Sequence, residues 1–381
     1  MKPLSRRTCL QRLALTSAFS SGLINRAQIH AADDVPTPSA KESAAIRALA
    51  EDFLKKFDSP GLSVAFAYRG KRVYRSGFGF ADPQKKEALT VDHRFRIASI
   101  SKPITSVAIY ALIEQGKLKL DDHVFGKNGL LPKFRTGKDR DKLEAITVHH
   151  LLTHTAGGWD NQGSDPMFMN SQMDHAELIA WTLREVPLEK APGEQYAYSN
   201  FGYCLLGRII EKITETSYAE HLRQGVLARC NIRHMEIAGN TLRDRAQNEV
   251  IYYGQDGQNP YGMNIRRMDS HGGWLAHPTD LLRFLVQVDG FPGTPDILQP
   301  ATLTTMTTPT AAGPGYASGW SINSAPNWWH SGTLPGTSTI AVRTARGLCW
   351  AGFANTRTQD IGGALDDLMW KIAKAVPAWE A

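Results

Sequence analysis

The sequence predicts an α+β protein: an antiparallel sheet flanked by N- and C-terminal helices, with a mostly helical region inserted into it. Three observations lead there. Short apolar strand-like runs bounded by turn residues lie near both ends of the chain. The middle carries helical periodicity. The order is therefore helix and strands, then helices, then strands and helix, and a sheet made by both chain ends is its simplest folding.

Residues 33–41, with Pro36 and Pro38, read as a linker. A helix over Ala44–Phe57 follows, with Ala45, Ile46, Leu49, Phe53 and Leu54 on one face. Gly61–Tyr68 and Arg72–Phe80 read as a hairpin around Arg69-Gly70-Lys71. Ser101–Gln115 is helical by pattern, and Gly116 is its stop. Helices over Val148–His154, Ala176–Glu185, Tyr203–Ile213, Tyr218–Val226 and Leu281–Val288 fill the middle, with Thr147, Asp174 and Ser217 as candidate caps. Arg135–Lys142 and Tyr253–Gly273 read as long irregular stretches. Strands return at Ser318–Asn323, Asn327–Ser331, Ser338–Thr344 and Leu348–Asn355, and a last helix spans Gly363–Ala375. The expected domain is 42–375, its α/β part being 42–110 and 310–375 and its helical insertion 111–309.

The chain of 381 residues carries a formal charge of +6, which raises nucleic-acid binding. The charge distribution argues against it. Residues 1–32 hold five cations and no acid, which leaves 38 cations against 37 anions in the rest. No basic stripe interleaved with aromatics occurs. The same N-terminal segment has a positive head with Arg6-Arg7, an apolar run over Leu13–Ile24 and small residues at Ala31-Ala32. That is the pattern of an export signal, twin-arginine-like although Cys9 stands where that pattern favours Phe. It predicts an exported, periplasmic protein. The run is shorter than the ~20 apolar residues a membrane span needs, so a membrane tether is expected only if the signal stays uncleaved. Beyond Cys9 there are three cysteines, Cys204, Cys230 and Cys349. An odd number without metal-ligand spacing predicts buried thiols rather than a disulfide framework.

The chemistry-bearing residues begin at Ser99. Pro103 fits a first helical turn, so Ser99 sits at or just before a helix start. Lys102 lies one turn on, on the same face. A hydroxyl, an amine and a helix N-terminus with unpaired N–H groups then converge. The amine can act as a base only if its pKa falls well below ~10. Alone, the pair is also what a serine cap beside a solvated lysine would look like. Two more segments add to it. Tyr198 and Asn200 follow a Pro192-Gly193 turn and can project into one cleft. Trp328-Trp329-His330-Ser331-Gly332-Thr333 reads as a strand end followed by small residues, which allow a substrate backbone to approach closely.

Ser99-x-x-Lys102, Tyr198-x-Asn200 and His330-x-Gly332, in that order, resemble the three motifs of the serine β-lactamase and penicillin-binding-protein superfamily. The likeness is to its branch of class C β-lactamases, D-peptidases and esterases, and Leu151–Gly158, Tyr198–Gly207 and Gly272-Gly273-Trp274 resemble that branch too. The resemblance implies the β-lactamase/transpeptidase-like fold. It implies Ser99 as the acylated nucleophile, Lys102 and Tyr198 sharing the proton transfers, and Asn200 orienting Lys102 and holding substrate. It further implies His330, Gly332 and Thr333 at the substrate, the N–H groups of Ser99 and Thr333 as an oxyanion hole, and no metal or cofactor. The departure is His330, where β-lactamases and DD-peptidases carry a carboxylate-binding Lys. Histidine is a weaker carboxylate anchor. The expectation therefore moves toward an esterase or D-amino-acid-type peptidase acting on a small ester, amide or peptide. A β-lactamase or DD-carboxypeptidase, and a non-catalytic binder of cell-wall peptides, remain as alternatives. If His330 titrates during turnover, a limb near pH ~6.5 is expected.

Other features carry less. His149, His150 and His154 lack the Glu of a zinc-binding helix. Trp159, Trp274 and Trp328 suit either a cleft wall or the core. No Gly-x-Ser-x-Gly elbow occurs.

Overall fold

The structure, a computed structural model, describes residues 35–134, 139–162 and 165–380. The expected export signal and the first part of the expected linker lie outside them. The first helix, α1 (Ala40–Lys56), opens with a capping box. The Ser39 hydroxyl accepts from the Glu42 N–H, and the Glu42 carboxylate accepts from the Ser39 N–H at 2.7 Å. Ala40 and Lys41 are therefore helical, not linker, and the helix begins earlier than periodicity alone indicated.

Four strands follow: β1 (Gly61–Tyr68), β2 (Lys71–Asp82), β3 (Glu87–Ala88) and β4 (Phe95–Arg96). The helical part holds α2 (Ser101–Glu114), α3 (Arg140–Glu144), α4 (Val148–Leu152), α5 (His175–Glu185), α6 (Asn200–Thr214) and α7 (Tyr218–Leu222). It continues with β5 (Glu236–Ile237), β6 (Tyr253–Gly254), α8 (Asp269–Gly272), β7 (Trp274–Ala276), α9 (Pro278–Leu285) and α10 (Pro300–Met306). The chain closes with β8 (Ser321–Ile322), β9 (Trp328–Leu334), β10 (Thr337–Arg343), β11 (Leu348–Ala354), β12 (Thr356–Arg357) and α11 (Ile361–Lys374).

The main sheet has seven strands in the order β3-β2-β1-β11-β10-β9-β8, and its neighbours pair antiparallel. Strands from the two chain ends meet where Leu62–Tyr68 pairs with Ala354–Leu348. Side chains alternate across these strands. Leu62, Val64, Phe66 and Trp350 pack under α1 and α11 with Ile46, Phe53, Leu365 and Met369. Ala65, Ala67, Cys349, Ala351 and Phe353 face the other way, into the core of the helical part. With both faces covered, every residue of β1, β10 and β11 is buried. Gly352 lies close under α11: a Cβ there would lie 2.7 Å from the Met369 sulfur, which would have to shift. From Val35 onward the chain is one compact unit, so the insertion shares its packing with the sheet.

Several boundaries differ from the sequence expectation. Asn327–Ser331 runs on to Leu334, and Ser318–Asn323 shrinks to two residues. The helix at Tyr218 gives way to a π turn over Arg223–Leu227. The stretch Tyr253–Gly273 holds β6 and α8, and α3 begins inside Arg135–Lys142, whose first four residues are outside the described ones. Elements this short carry too few residues for a period to show. Helix α9 starts at Pro278, capped by an Asp280 and His277 box. Cys204, Cys230 and Cys349 are buried free thiols. Among the described residues, no helix is long and apolar enough to cross a membrane.

Candidate active site

Ser99 lies in a 3-10 turn, Ala98–Ile100, between β4 and α2. Ile97 is right-handed and Ala98 left-handed, at φ 49. That succession turns consecutive N–H groups toward one concavity, and it is a strained choice for a residue with a Cβ. The surroundings hold it. Thr337 and Thr339 of β10 donate to the Arg96 and Ile97 carbonyls at 3.2 and 3.0 Å, and the Ser101 hydroxyl donates to the Ala98 carbonyl at 2.7 Å. The first N–H groups of such a turn have no acceptor within it, and Ser99 is among them.

Lys102 is fully buried. Its Nζ lies 3.1 Å from Ser99 Oγ, 2.6 Å from Asn200 Oδ1 and 3.1 Å from the His271 carbonyl. Burial pulls its pKa down to about 7, against the opposing field of Asp165. The Asn200 amide is oriented by its two neighbours: its oxygen accepts from Lys102, and its Nδ2 donates to Asp165 Oδ2 at 2.6 Å. Asn200 is the first residue of α6 and Ser199 is the cap, so the asparagine side chain is free for this bridge. Asp165 is buried, which raises its pKa, and it also accepts from the Met167 N–H at 2.9 Å.

Tyr198 lays its ring over Lys102, with Nζ 4.7 Å from the centroid, and its hydroxyl interacts with Ser99. Burial holds that phenol far above its ordinary pKa, so it is protonated at neutral pH. His154 packs behind Tyr198, the ring centroids being 4.3 Å apart. It brackets the motif: its carbonyl accepts from the Ala197 N–H at 2.8 Å and its Nδ1 accepts from the Ser199 N–H at 3.1 Å.

His330 is placed differently from the expectation. It is buried behind Tyr198 and does not line the cavity at Ser99. Its Nδ1 donates to the Ser331 carbonyl at 2.6 Å, which leaves Nε2 as acceptor for the Tyr316 hydroxyl at 3.2 Å. Burial, helped by Lys102, takes its pKa down to about 3. His330 is thus neutral across pH 5–8, and the limb near pH ~6.5 is withdrawn. We expect His330→Asn to keep whatever acid limb the wild type shows in kcat/KM; disappearance of the limb would return the titration to His330.

Gly332 also has another task than admitting substrate. A Cβ there would lie 2.2 Å from the Ile97 carbonyl oxygen and 2.5 Å from Thr339 Oγ1. The glycine lets β9 lie against the turn that carries Ser99. Gly332→Ala is expected to cost about 1–3 kcal/mol of stability and to displace Ser99, so any activity that depends on Ser99 should fall by more than the melting shift explains. Unchanged melting and turnover would contradict this. Thr333, the next residue, does face the cavity.

That cavity, about 340 Å³, is lined by Ser99, Asn200, Thr333, Arg357 and apolar side chains that include Phe168 and Met268. A larger open cleft of about 840 Å³ lies elsewhere. Its Arg94, Arg223 and Arg266 are paired with Glu236, Glu220 and Asp244, and its lining has no serine beside a buried lysine.

A family model described as Beta-lactamase matches residues 46–374. The chain belongs to the beta-lactamase family. This agrees with the resemblance read from the three motifs. Protein flp of Staphylococcus aureus (strain MRSA252) is 27% identical over 307 residues, covering 78% of this chain and 59% of that protein. Penicillin-binding protein 4* of Bacillus subtilis (strain 168) is 26% identical over 316 residues, covering 74% of this chain and 64% of that one. The chain thus spans about three fifths of the length of these relatives. Among solved structures, the octameric penicillin-binding protein homologue from Pyrococcus abyssi has a TM-score of 0.68 at 25% identity, covering 88% of this chain and 79% of that one. The D-amino acid amidase from Ochrobactrum anthropi SV3 has a TM-score of 0.72 at 22% identity, covering 89% and 99%. These likenesses show that the fold is that of β-lactamases and transpeptidases.

Within this beta-lactamase-family site, sequence reasoning had missed Asp165, His154, Tyr316 and Arg357. Asp165 and Tyr316 stand in loops without periodicity, and nothing local ties them to Ser99. His154 was visible only inside the family-like stretch Leu151–Gly158. Trp159, Trp274 and Trp328 are buried and do not line the cavity.

Proposed function

We propose that this chain is a serine hydrolase that passes through an acyl-enzyme on Ser99 and acts as an esterase or D-amino-acid-type peptidase. One observation carries the mechanism. A neutral lysine amine has two N–H bonds and one lone pair. Asn200 Oδ1 and the His271 carbonyl take the two N–H bonds, so the lone pair faces Ser99 Oγ. Lys102 then removes the Ser99 proton as Oγ bonds to the substrate carbonyl carbon. The oxygen that becomes negative sits against the N–H groups of Ser99 and Thr333. Tyr198, still protonated, hands its proton to the leaving group as that bond breaks and is replenished from Lys102. Water repeats the sequence and frees Ser99.

The substrate reading rests on three supports. The cavity has an apolar wall. His330 is neutral and tied to Tyr316 and Ser331. A D-amino acid amidase and a D-alanine carboxypeptidase from Burkholderia cenocepacia share the fold. The twin-arginine-like start supports an exported enzyme. The test is a panel of p-nitrophenyl esters, D-amino-acid amides, D-Ala peptides and nitrocefin, with intact mass recorded after each. Turnover of esters or D-amides with a transient acyl adduct is expected. Preferential nitrocefin hydrolysis would make the chain a β-lactamase. Binding of cell-wall peptides with no adduct from any compound would make it a non-catalytic receptor.

A further inference from the structure

Arg267 stands in the 3-10 turn Arg266–Met268, which runs directly into α8. It is buried, and among the described residues no carboxylate bonds it. Its guanidinium is turned on carbonyls instead. Nη1 donates to the Asn170 and Met173 carbonyls, both at 2.7 Å, and Nη2 to the Met167 and Met169 carbonyls at 2.9 and 3.1 Å. Asn264, three residues earlier, donates to the Ser171 carbonyl at 3.1 Å. One short stretch thus holds the carbonyls of Met167, Met169, Asn170, Ser171 and Met173. The arginine is itself fixed at both backbone groups: its N–H donates to Asn264 Oδ1 at 3.3 Å, and its carbonyl accepts from His175 Nε2 at 2.9 Å.

The loop so held has little else to shape it. Pro166 and Met167 are buried, but Phe168 and Met169 are 47% and 38% exposed, and Asn170 is left-handed at φ 48. Hydrogen bonds rather than apolar packing fix its middle. Carbonyls that converge on one point call for a donor with several N–H bonds in a rigid plane, which a guanidinium has and an ammonium lacks. Bonds from a charged donor are also the stronger ones.

Both stretches wall the cavity of Ser99, Phe168 on the loop side and Met268 and His271 on the other. A line of hydrogen bonds also leads from Arg267 to Lys102. The Met167 carbonyl accepts from Arg267, and the Met167 N–H donates to Asp165 at 2.9 Å. Asp165 accepts from Asn200 at 2.6 Å, and Asn200 accepts from Lys102 at 2.6 Å. We propose that Arg267 is a positioning residue of this site: it clasps the loop 165–173 to the segment before α8, and so keeps Asp165 on Asn200 and Phe168 in the cavity wall. Its consequence for turnover rests on the serine-hydrolase reading; the clasp itself does not.

The test follows the loop and the lysine separately, without substrate. Hydrogen exchange read by mass spectrometry reports the loop, through peptides covering 165–173. NMR titration of isotope-labelled lysine side chains reports Lys102, assigned as the signal lost in Lys102→Arg. In wild type the amides of Met167, Phe168, Met169 and Met173, each bonded within the loop, should exchange slowly. Exchange as fast as in an unstructured peptide overturns the clasp before any variant is made. In Arg267→Lys, shown to be folded by its melting curve, the loop should exchange roughly 10- to 100-fold faster. Lys102 should then titrate at lower pH, because Asp165 no longer holds its charge against the Asn200 bridge. The same substitution made in Asp165→Asn should move Lys102 no further. Asn264→Ala loosens the loop more mildly and should change both readouts in the same directions, by less; it carries the test if Arg267→Lys does not fold. Unchanged exchange overturns the clasp. Faster exchange with Lys102 unmoved makes Arg267 merely structural, and a Lys102 titration that moves up, as water reaching the amine would cause, overturns the route through Asp165. Absence of any turnover in wild type overturns the hydrolase reading and leaves these two measurements to decide the clasp.

Discussion

Replacing Ser99 by alanine should abolish turnover of any ester or amide that the wild type hydrolyses, along with labelling by a fluorophosphonate. The expected fall in kcat is roughly 10⁴- to 10⁶-fold, the range seen when a member of a nucleophilic constellation is removed. The reason is local. Ser99 supplies the hydroxyl within 3.1 Å of Lys102 Nζ, and among the described residues no second serine or threonine side chain bonds that amine. The variant should melt close to the wild type, because the turn is held by Thr337, Thr339 and Ser101 rather than by the Ser99 side chain. Covalent labelling that persists in Ser99→Ala would move the nucleophile elsewhere.

Lys102 should show itself in the pH profile. With its pKa at about 7, the amine is charged below that value and has no lone pair for the Ser99 proton. kcat/KM should therefore rise through pH 7 and fall about tenfold per unit on the acid side. Lys102→Arg tests the base directly: it keeps a cation but cannot deprotonate in this range. We expect a loss of roughly 10²–10⁴, with no recovery at high pH. Lys102→Arg activity near that of the wild type would leave the lysine as a mere charge. Asp165 refines the same test. Its field raises the Lys102 pKa, so Asp165→Asn should move the acid limb to lower pH. A limb that stays in place would mean that Asp165 does not act on the base.

Much of the frame was legible in the sequence because its signals are local. Gly61–Tyr68 and Leu348–Ala354 are short apolar strands whatever they pair with. Asp174 caps its helix through its own side chain, three residues from the N–H it serves. The Ser39 box is equally local, but Pro36 and Pro38 just before it give the segment the composition of a linker. The short elements β4, β7 and α8 escaped for a physical reason. Each holds two to four residues, less than one or two periods, and exists only because its neighbours supply hydrogen-bond partners and burial.

The motifs were legible as spacing, and their meaning was legible only in part. Spacing alone put Ser99 and Lys102 on one face and Tyr198 and Asn200 in one loop, whereas His330 and Gly332 share a strand only because β9 runs on to Leu334. What each group does depends on burial and on partners far along the chain. The Lys102 pKa is set by exclusion of water and by Asp165. His330 is neutral because it is buried and bonded to Ser331 and Tyr316. Gly332 is a glycine because Ile97 lies against it. By itself, then, the sequence determined the three motifs and the family to which the chain belongs. Only the tertiary structure decided which lysine is desolvated beside Ser99, which histidine is silent and which side chains line the cavity, since charge and desolvation are settled by neighbours in space.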